Sequence, residues 1–159
     1  MYISTFIMNK IIVPHGITDF THSIQTNKLD LLFGIYVSNI LLSPILEPIY
    51  NPLLYVGSII HFKKDIQNPF LFVETLRQIH LHGKTNRSMC ILYLFMLFIH
   101  IPNHYKEHLW HMKQQKWLNG ISILFMMGIS SYFYPIHKPY IRFIKSFVLS
   151  HIIYNEIGI

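Results

Sequence analysis

The sequence predicts an all-α protein, a multi-pass transmembrane helical bundle of about six helices. Three observations carry this. Of 159 residues, 52% are hydrophobic and only 13% are charged, against about 25% charged in an average soluble domain. The charges are confined, so that runs almost free of Asp, Glu, Lys and Arg alternate with polar connections. The apolar runs are also continuous, whereas a transmembrane β-barrel would alternate. The length suits one transmembrane domain over residues 1–159. The single cysteine, Cys90, lies in an apolar run, which excludes a disulfide framework or a CxxC site. The net charge of +6 falls in the connections. That placement suits anionic lipid head groups, and no aromatic-interleaved basic patch points to nucleic acid.

Residues 2–23 form the first run, interrupted by Lys10 and Asp19. It has no basic segment before it and no small-x-small cleavage pattern, so no signal peptide is expected. The second span covers 31–46 and the third 52–62, with Glu47, Pro48, Asn51 and Pro52 making a tight turn between them. Residues 63–87 are polar, but 69–79 carry apolar residues at helical spacing and are expected to lie along the membrane interface. The fourth span covers 88–105, the fifth 117–134 and the sixth 141–157. Several are shorter than the roughly 20 residues a bilayer core requires; thinning, tilt or snorkelling lysines are expected to accommodate them. Lys28, then Lys63, Lys64, Arg77, Lys84 and Arg87, then Lys138, Arg142 and Lys145 fall in the odd-numbered connections. The even ones hold only Lys106, Lys113 and Lys116. By the positive-inside rule the odd connections face the cytoplasm and both termini face out.

The eleven histidines are the outlier. An ionisable side chain within a bilayer is costly and marks a function. His100 and His104 stand four residues apart on one helix face, as two ligands to one metal ion do. Pro102 between them lacks an N–H and is expected to kink the helix and open a cavity. His15 lies between Pro14 and Gly16, with Asp19 one turn on. His61 ends the third span, with Asp65 four residues later. A carboxylate one turn from an imidazole is the usual group that orients a metal ligand through its other ring nitrogen. The plainer reading is a helix-end turn with a capping Asp at His15, and an interfacial histidine at a helix end at His61. His151 sits in the apolar stretch 147–153 and needs a polar partner there, so it is a candidate to line the same cavity or add a ligand. His108 and His111 continue the series from His104 in a charged stretch and read as solvated. His22, His80, His82 and His137 fall in expected loops. There is no GxSxG elbow, no Gly-rich phosphate loop and no carboxylate pair of the glycosidase type.

One ion cannot hold both His61, at the end of its span, and His100, about 18 Å into the next at 1.5 Å per residue. Either the third span continues past Lys63 and Lys64 to the break at Pro69, the favoured expectation, or the fourth begins later than Ser88.

Taken in order, Pro14-His15-Gly16 with Asp19, Ser58 with His61-Phe62 and Asp65, and His100-x-Pro102-x-His104 resemble the bacteriorhodopsin-related Brp/Blh-type β-carotene 15,15'-dioxygenases. The family pattern runs roughly PHG-x-x-D, a WHF-like motif with a following Asp, WHS-x-x-H, and a late PH in an apolar segment. On that pattern His15, His61, His100 and His104 correspond to four iron ligands. His151 resembles the histidine of the late PH, with Ser150 where the family tends to have Pro. Ile60 and Ile99 stand where the family has Trp, and Asn103 where it often has Arg. The chain is also markedly shorter than typical members.

The resemblance implies an Fe(II) site on four imidazoles facing a hydrophobic tunnel. It implies β-carotene as substrate, cleaved by O2 at its central double bond to give two retinals. Asp19 and Asp65 would orient His15 and His61. The implied partners are the carotenoid, O2, the lipid bilayer and a retinal-binding opsin as product acceptor, with no nucleic acid. Two other readings stay open on the residues. One is a membrane di-iron hydroxylase or desaturase built on His100, His104, His108 and His111, although the chain lacks a second distant HxxHH-type box. The other is a small non-catalytic multi-pass membrane protein in which the histidines only pack.

Overall fold

The computed structural model describes residues 15–81, 90–110, 121, 124–125 and 138–158. They are helical apart from short turns, and no strand occurs among them. Helix α1 is Thr18–Gln25, α2 Leu29–Leu46, α3 Tyr50–Lys63, α4 Pro69–Leu81, α5 Cys90–Phe95, α6 Ile101–Trp110 and α7 Lys138–Ile157. A 3-10 turn, Glu47–Ile49, joins α2 to α3, and a π-helical turn, Met96–His100, joins α5 to α6. The fifth expected span, 117–134, lies outside the described residues except for the helical, exposed Ile121, Leu124 and Phe125.

Local chemistry sets the joints. Asn27 adopts φ 56°, a left-handed conformation that Asn tolerates better than most residues. It lets Lys28 N–H bond the Ser23 carbonyl (2.8 Å), which closes α1 and starts α2. At the far end of α2, Pro48 opens the 3-10 turn. The run Leu29–Lys63 is helical for 35 residues, and among the described residues it alone is long and apolar enough to cross a membrane. It is not straight. Tyr50 Oη donates to the Asn39 carbonyl at 3.2 Å, whereas eleven residues of straight helix would set their backbones about 16 Å apart. The chain therefore reverses at Glu47–Ile49, and α2 and α3 form the arms of a V.

Helix α7 fills that V. Asn39 Nδ2 donates to Ser150 Oγ at 3.0 Å from one arm. From the other, Tyr50 Oη meets Ser146 Oγ at 2.6 Å. Both serines are fully buried, and with Gly57 they allow close helix approach. A Cβ on Gly57 would stand 3.2 Å from Ile152 Cγ2. Arg142 pairs with Glu47 at the closed end of the V. Lys28 Nζ donates to the Gly158 carbonyl at the open end.

One sequence expectation is corrected. The third helix does not continue to Pro69 but ends at Lys63. There Asp65 and Ile66 N–H groups both bond the Phe62 carbonyl. The Asp65 carboxylate is thereby turned back toward the bundle, and Asn68 Oδ1 caps α4 by accepting from Leu71 N at 3.1 Å. Residues 69–79 are helical, as their spacing predicts. Helix α4 packs on α3 and α5, buries Thr75, Leu76 and Gln78, and its Gln78 Oε1 accepts from Leu92 N at 2.9 Å. Phe62, Ile66, Leu92, Phe95 and Met96 form the apolar core between them.

Around α1, α2, α3 and α7 the usual polarity is inverted. Thr18, Asp19, Thr21, Ser23, Asn39, Ser146, Ser150 and Asn155 are buried. Leu41 and Ile45 on α2 are 73% and 74% exposed, and Phe33, Val37, Val56 and Ile60 are half exposed or more. A polar interior under an apolar exterior is the reverse of a water-soluble bundle.

Candidate metal centre

Five imidazoles from five parts of the chain meet inside the bundle. His15 precedes α1, His61 ends α3, His100 closes the π-turn, His104 lies on α6 and His151 on α7. All five are buried. Ring centroids are 4.8 Å apart for His15–His151 and His104–His151. They are 4.9 Å apart for His61–His100 and 5.3–5.4 Å for His15–His100, His15–His104 and His61–His151. His100–His104 spans 5.8 Å and His61–His104 6.4 Å. Two triads, His15–His104–His151 and His61–His100–His151, hold ring nitrogens within 4.8 Å of one another. His151 belongs to both. Its Cα segment comes close because residue 16 is glycine; a Cβ there would stand 3.3 Å from His151 Nδ1.

These spacings stay within the ceiling for imidazoles that share an ion, and each of the two triads could hold one. A metal–nitrogen bond of about 2.1 Å, plus about 1.1 Å to the ring centre, sets centroids on a shared ion at most about 6.4 Å apart. Every spacing above meets that limit, and His61–His104 reaches it.

Three carboxylates hold the outer nitrogens. His151 Nδ1–H donates to Asp19 Oδ2 at 2.8 Å. His100 Nδ1–H donates to Asp65 Oδ2 at 2.7 Å. His61 Nδ1–H donates to Glu156 Oε1 at 3.2 Å. With Nδ1 committed as donor, Nε2 of a neutral imidazole carries its lone pair inward. Nε2 of His61 and of His151 is buried with no hydrogen-bond partner. A buried acceptor without a donor costs about 1–3 kcal/mol, and a cation at the centre removes that cost. Three buried or half-buried carboxylates around neutral imidazoles likewise suit a positive charge in their midst.

Each carboxylate is held in turn. Asp19, 1% exposed, accepts from Tyr36 Oη at 2.9 Å and Asn155 Nδ2 at 3.0 Å. His104 Nε2 stands 3.7 Å from Asp19 Oδ1. Asp65 Oδ1 accepts from Asn103 Nδ2 at 2.9 Å. Burial opposes charge on Asp65, but the bonds from His100 and Asn103 outweigh it and keep the carboxyl below its usual range.

All the candidate residues of the sequence, His15, His61, His100, His104, Asp19, Asp65 and His151, thus lie together. The carboxylate pairings do not follow the chain. Asp19 bonds His151 and Asp65 bonds His100, each a histidine of another element. His15 precedes α1 and Asp65 lies beyond the end of α3, so neither sequence pair shares a helix face, and each carboxylate reaches the imidazole of a facing element. Glu156 was missed. The signal for it was the polar pair Asn155–Glu156 inside an apolar helix. Of the other histidines, His22 Nδ1 meets Tyr154 Oη at 3.1 Å and ties α1 to α7. His82, His111 and His137 lie outside the described residues.

The helix carrying His100 and His104 has a register of its own. Leu92, Met96, His100 and His104 are all buried, at steps of four. In an α-helix twelve residues at 100° each would swing such a stripe about 120° off its face. The π-turn Met96–His100, in which Ile101 N–H bonds the Met96 carbonyl, adds about one residue to a turn and cancels most of the drift. Pro102, with no N–H for the Phe98 carbonyl, favours the wider turn.

Comparison with family models, with curated proteins and with solved structures returns no match.

Proposed function

We propose that the chain is an integral, multi-pass membrane oxygenase that holds Fe(II) on His15, His61, His100 and His104, with His151 as a fifth imidazole. It uses O2 to cleave the central double bond of a carotenoid such as β-carotene, giving retinal. The observation that carries this reading is the convergence of five buried imidazoles within a helical shell whose exterior is apolar. The order of the motifs along the chain supports the substrate class. Helix α2, with 18 residues, is about 27 Å long, which suits a hydrocarbon core of about 30 Å.

Neutral imidazoles suit Fe(II) among several divalent metals. Iron, when bound, supplies the unpaired-electron chemistry that a closed-shell alkene needs to react with O2. The chain's residues bind, orient and keep the site dry. Asp19, Asp65 and Glu156 fix Nδ1 of His151, His100 and His61, and burial excludes water from the rings. In the overall reaction one C=C and one O–O bond break and two C=O bonds form. No proton and no external reductant is consumed. A site whose carboxylates are all committed to hydrogen bonds suits that balance, because none is needed as acid or base. The lipid bilayer delivers the apolar substrate, and an opsin is a suitable acceptor for retinal.

Expression in a β-carotene-accumulating bacterium tests this. Loss of colour with formation of retinal is expected, and both should vanish with His104→Ala. Unchanged pigment with metal-loaded protein would sink the carotenoid reading. A purified chain without bound iron would sink the oxygenase reading altogether.

A further inference from the structure

We propose that Glu156 is a positioning residue of the metal centre, held in place by Lys64; this rests on the metal-binding reading above. Glu156 lies on α7, five residues beyond His151, so one helix supplies both an imidazole and the group that aims another. Its Oε1 receives His61 Nδ1–H at 3.2 Å, and its Oε2 receives Lys64 Nζ at 3.0 Å. The two oxygens are thus occupied on opposite sides, one by the buried ring and one by a lysine that is 63% exposed.

His61 needs such a strut more than its neighbours do. It stands at the last turn of α3, two residues before the helix ends, where backbone restraint is weakest. A χ rotation there would carry Nε2 away from the other imidazoles. The bond to Glu156 fixes both the tautomer and the ring plane, and directs Nε2 into the centre, where it is buried without a hydrogen-bond partner. Lys64 keeps the carboxylate from swinging inward. A carboxylate freed from it could reach the metal and occupy a coordination position that O2 requires. The Lys64–Glu156–His61 arrangement therefore keeps an anionic oxygen near the centre but off it.

The test uses the full chain in detergent or nanodiscs, with Co(II) as the optical probe and Fe(II) measured in parallel. Glu156→Ala should weaken Co(II) binding by about tenfold to a hundredfold, the range for loss of a group that orients a ligand, and should change the visible Co(II) bands. Glu156→Gln retains an acceptor for His61 and should recover most of the affinity. Lys64→Met should alter the Co(II) bands with little loss of affinity, as a carboxylate joins the coordination sphere. In a His61→Ala background, Glu156→Ala should add nothing. Unchanged affinity and bands in Glu156→Ala, or an additive loss in the His61→Ala background, would overturn the positioning role alone. A wild-type chain that takes up neither Co(II) nor Fe(II) would overturn the metal centre itself.

Discussion

Asp19 Oδ2 stands 2.8 Å from Nδ1 of His151, across 132 residues of chain. One fully buried carboxylate thereby joins the first described helix to the last, and Tyr36 and Asn155 complete its ring of donors. Asp19→Asn replaces an all-acceptor group with one that presents N–H to other donors. At least one of those donors loses its partner, at a cost of about 1–3 kcal/mol. Thermal unfolding in detergent should show the loss, and metal affinity should fall with it.

Removing a ring from the centre should remove the metal. His151→Ala and His104→Ala each take a member from the triad they share with His15. Iron content of the purified protein, measured by elemental analysis, should drop in both variants while helix content holds. Equal iron in either variant would place that imidazole outside the coordination sphere.

Two of the close glycines, Gly16 and Gly57, should behave differently. A Cβ at Gly16 meets His151 Nδ1 at 3.3 Å, and that ring is pinned by Asp19 and cannot yield. A Cβ at Gly57 meets the methyl Cγ2 of Ile152 at 3.2 Å. Both overpackings should cost about 1–3 kcal/mol in melting experiments. Gly16→Ala alone should also lower metal affinity.

Val37, half exposed midway along α2, tests the membrane placement. Val37→Lys puts a charge on the outer face at a cost of about 2.5–3.5 kcal/mol at mid-bilayer. Alkaline extraction of membranes should release more of this variant than of the wild type. Equal retention would argue against lipid around α2.

The helical class and the turn between α2 and α3 were legible in the sequence, because continuous apolar runs and Pro-Asn clusters act locally. The histidines that meet are also the ones the sequence singles out, since each is an ionisable residue within or at the end of an apolar segment. The pairing of carboxylates with rings was not legible, because it depends on which helices face each other. The end of α3 at Lys63 was misjudged for a related reason. The expected continuation assumed that His61 and His100 must be brought level by lengthening a helix, whereas α4 folds back and the π-turn resets the second partner.

That π-turn also bears on how the chain accommodates changes in length. Leu92, Met96, His100 and His104 advance by four, four and four. Phe98, 73% exposed, is the residue whose removal would turn this into four, three and four, the step of an ordinary α-helix. The wide turn thus has the form of a one-residue insertion absorbed in place. The helix stores the extra residue as a local bulge beside Pro102, and the histidines keep the same face on either side of it.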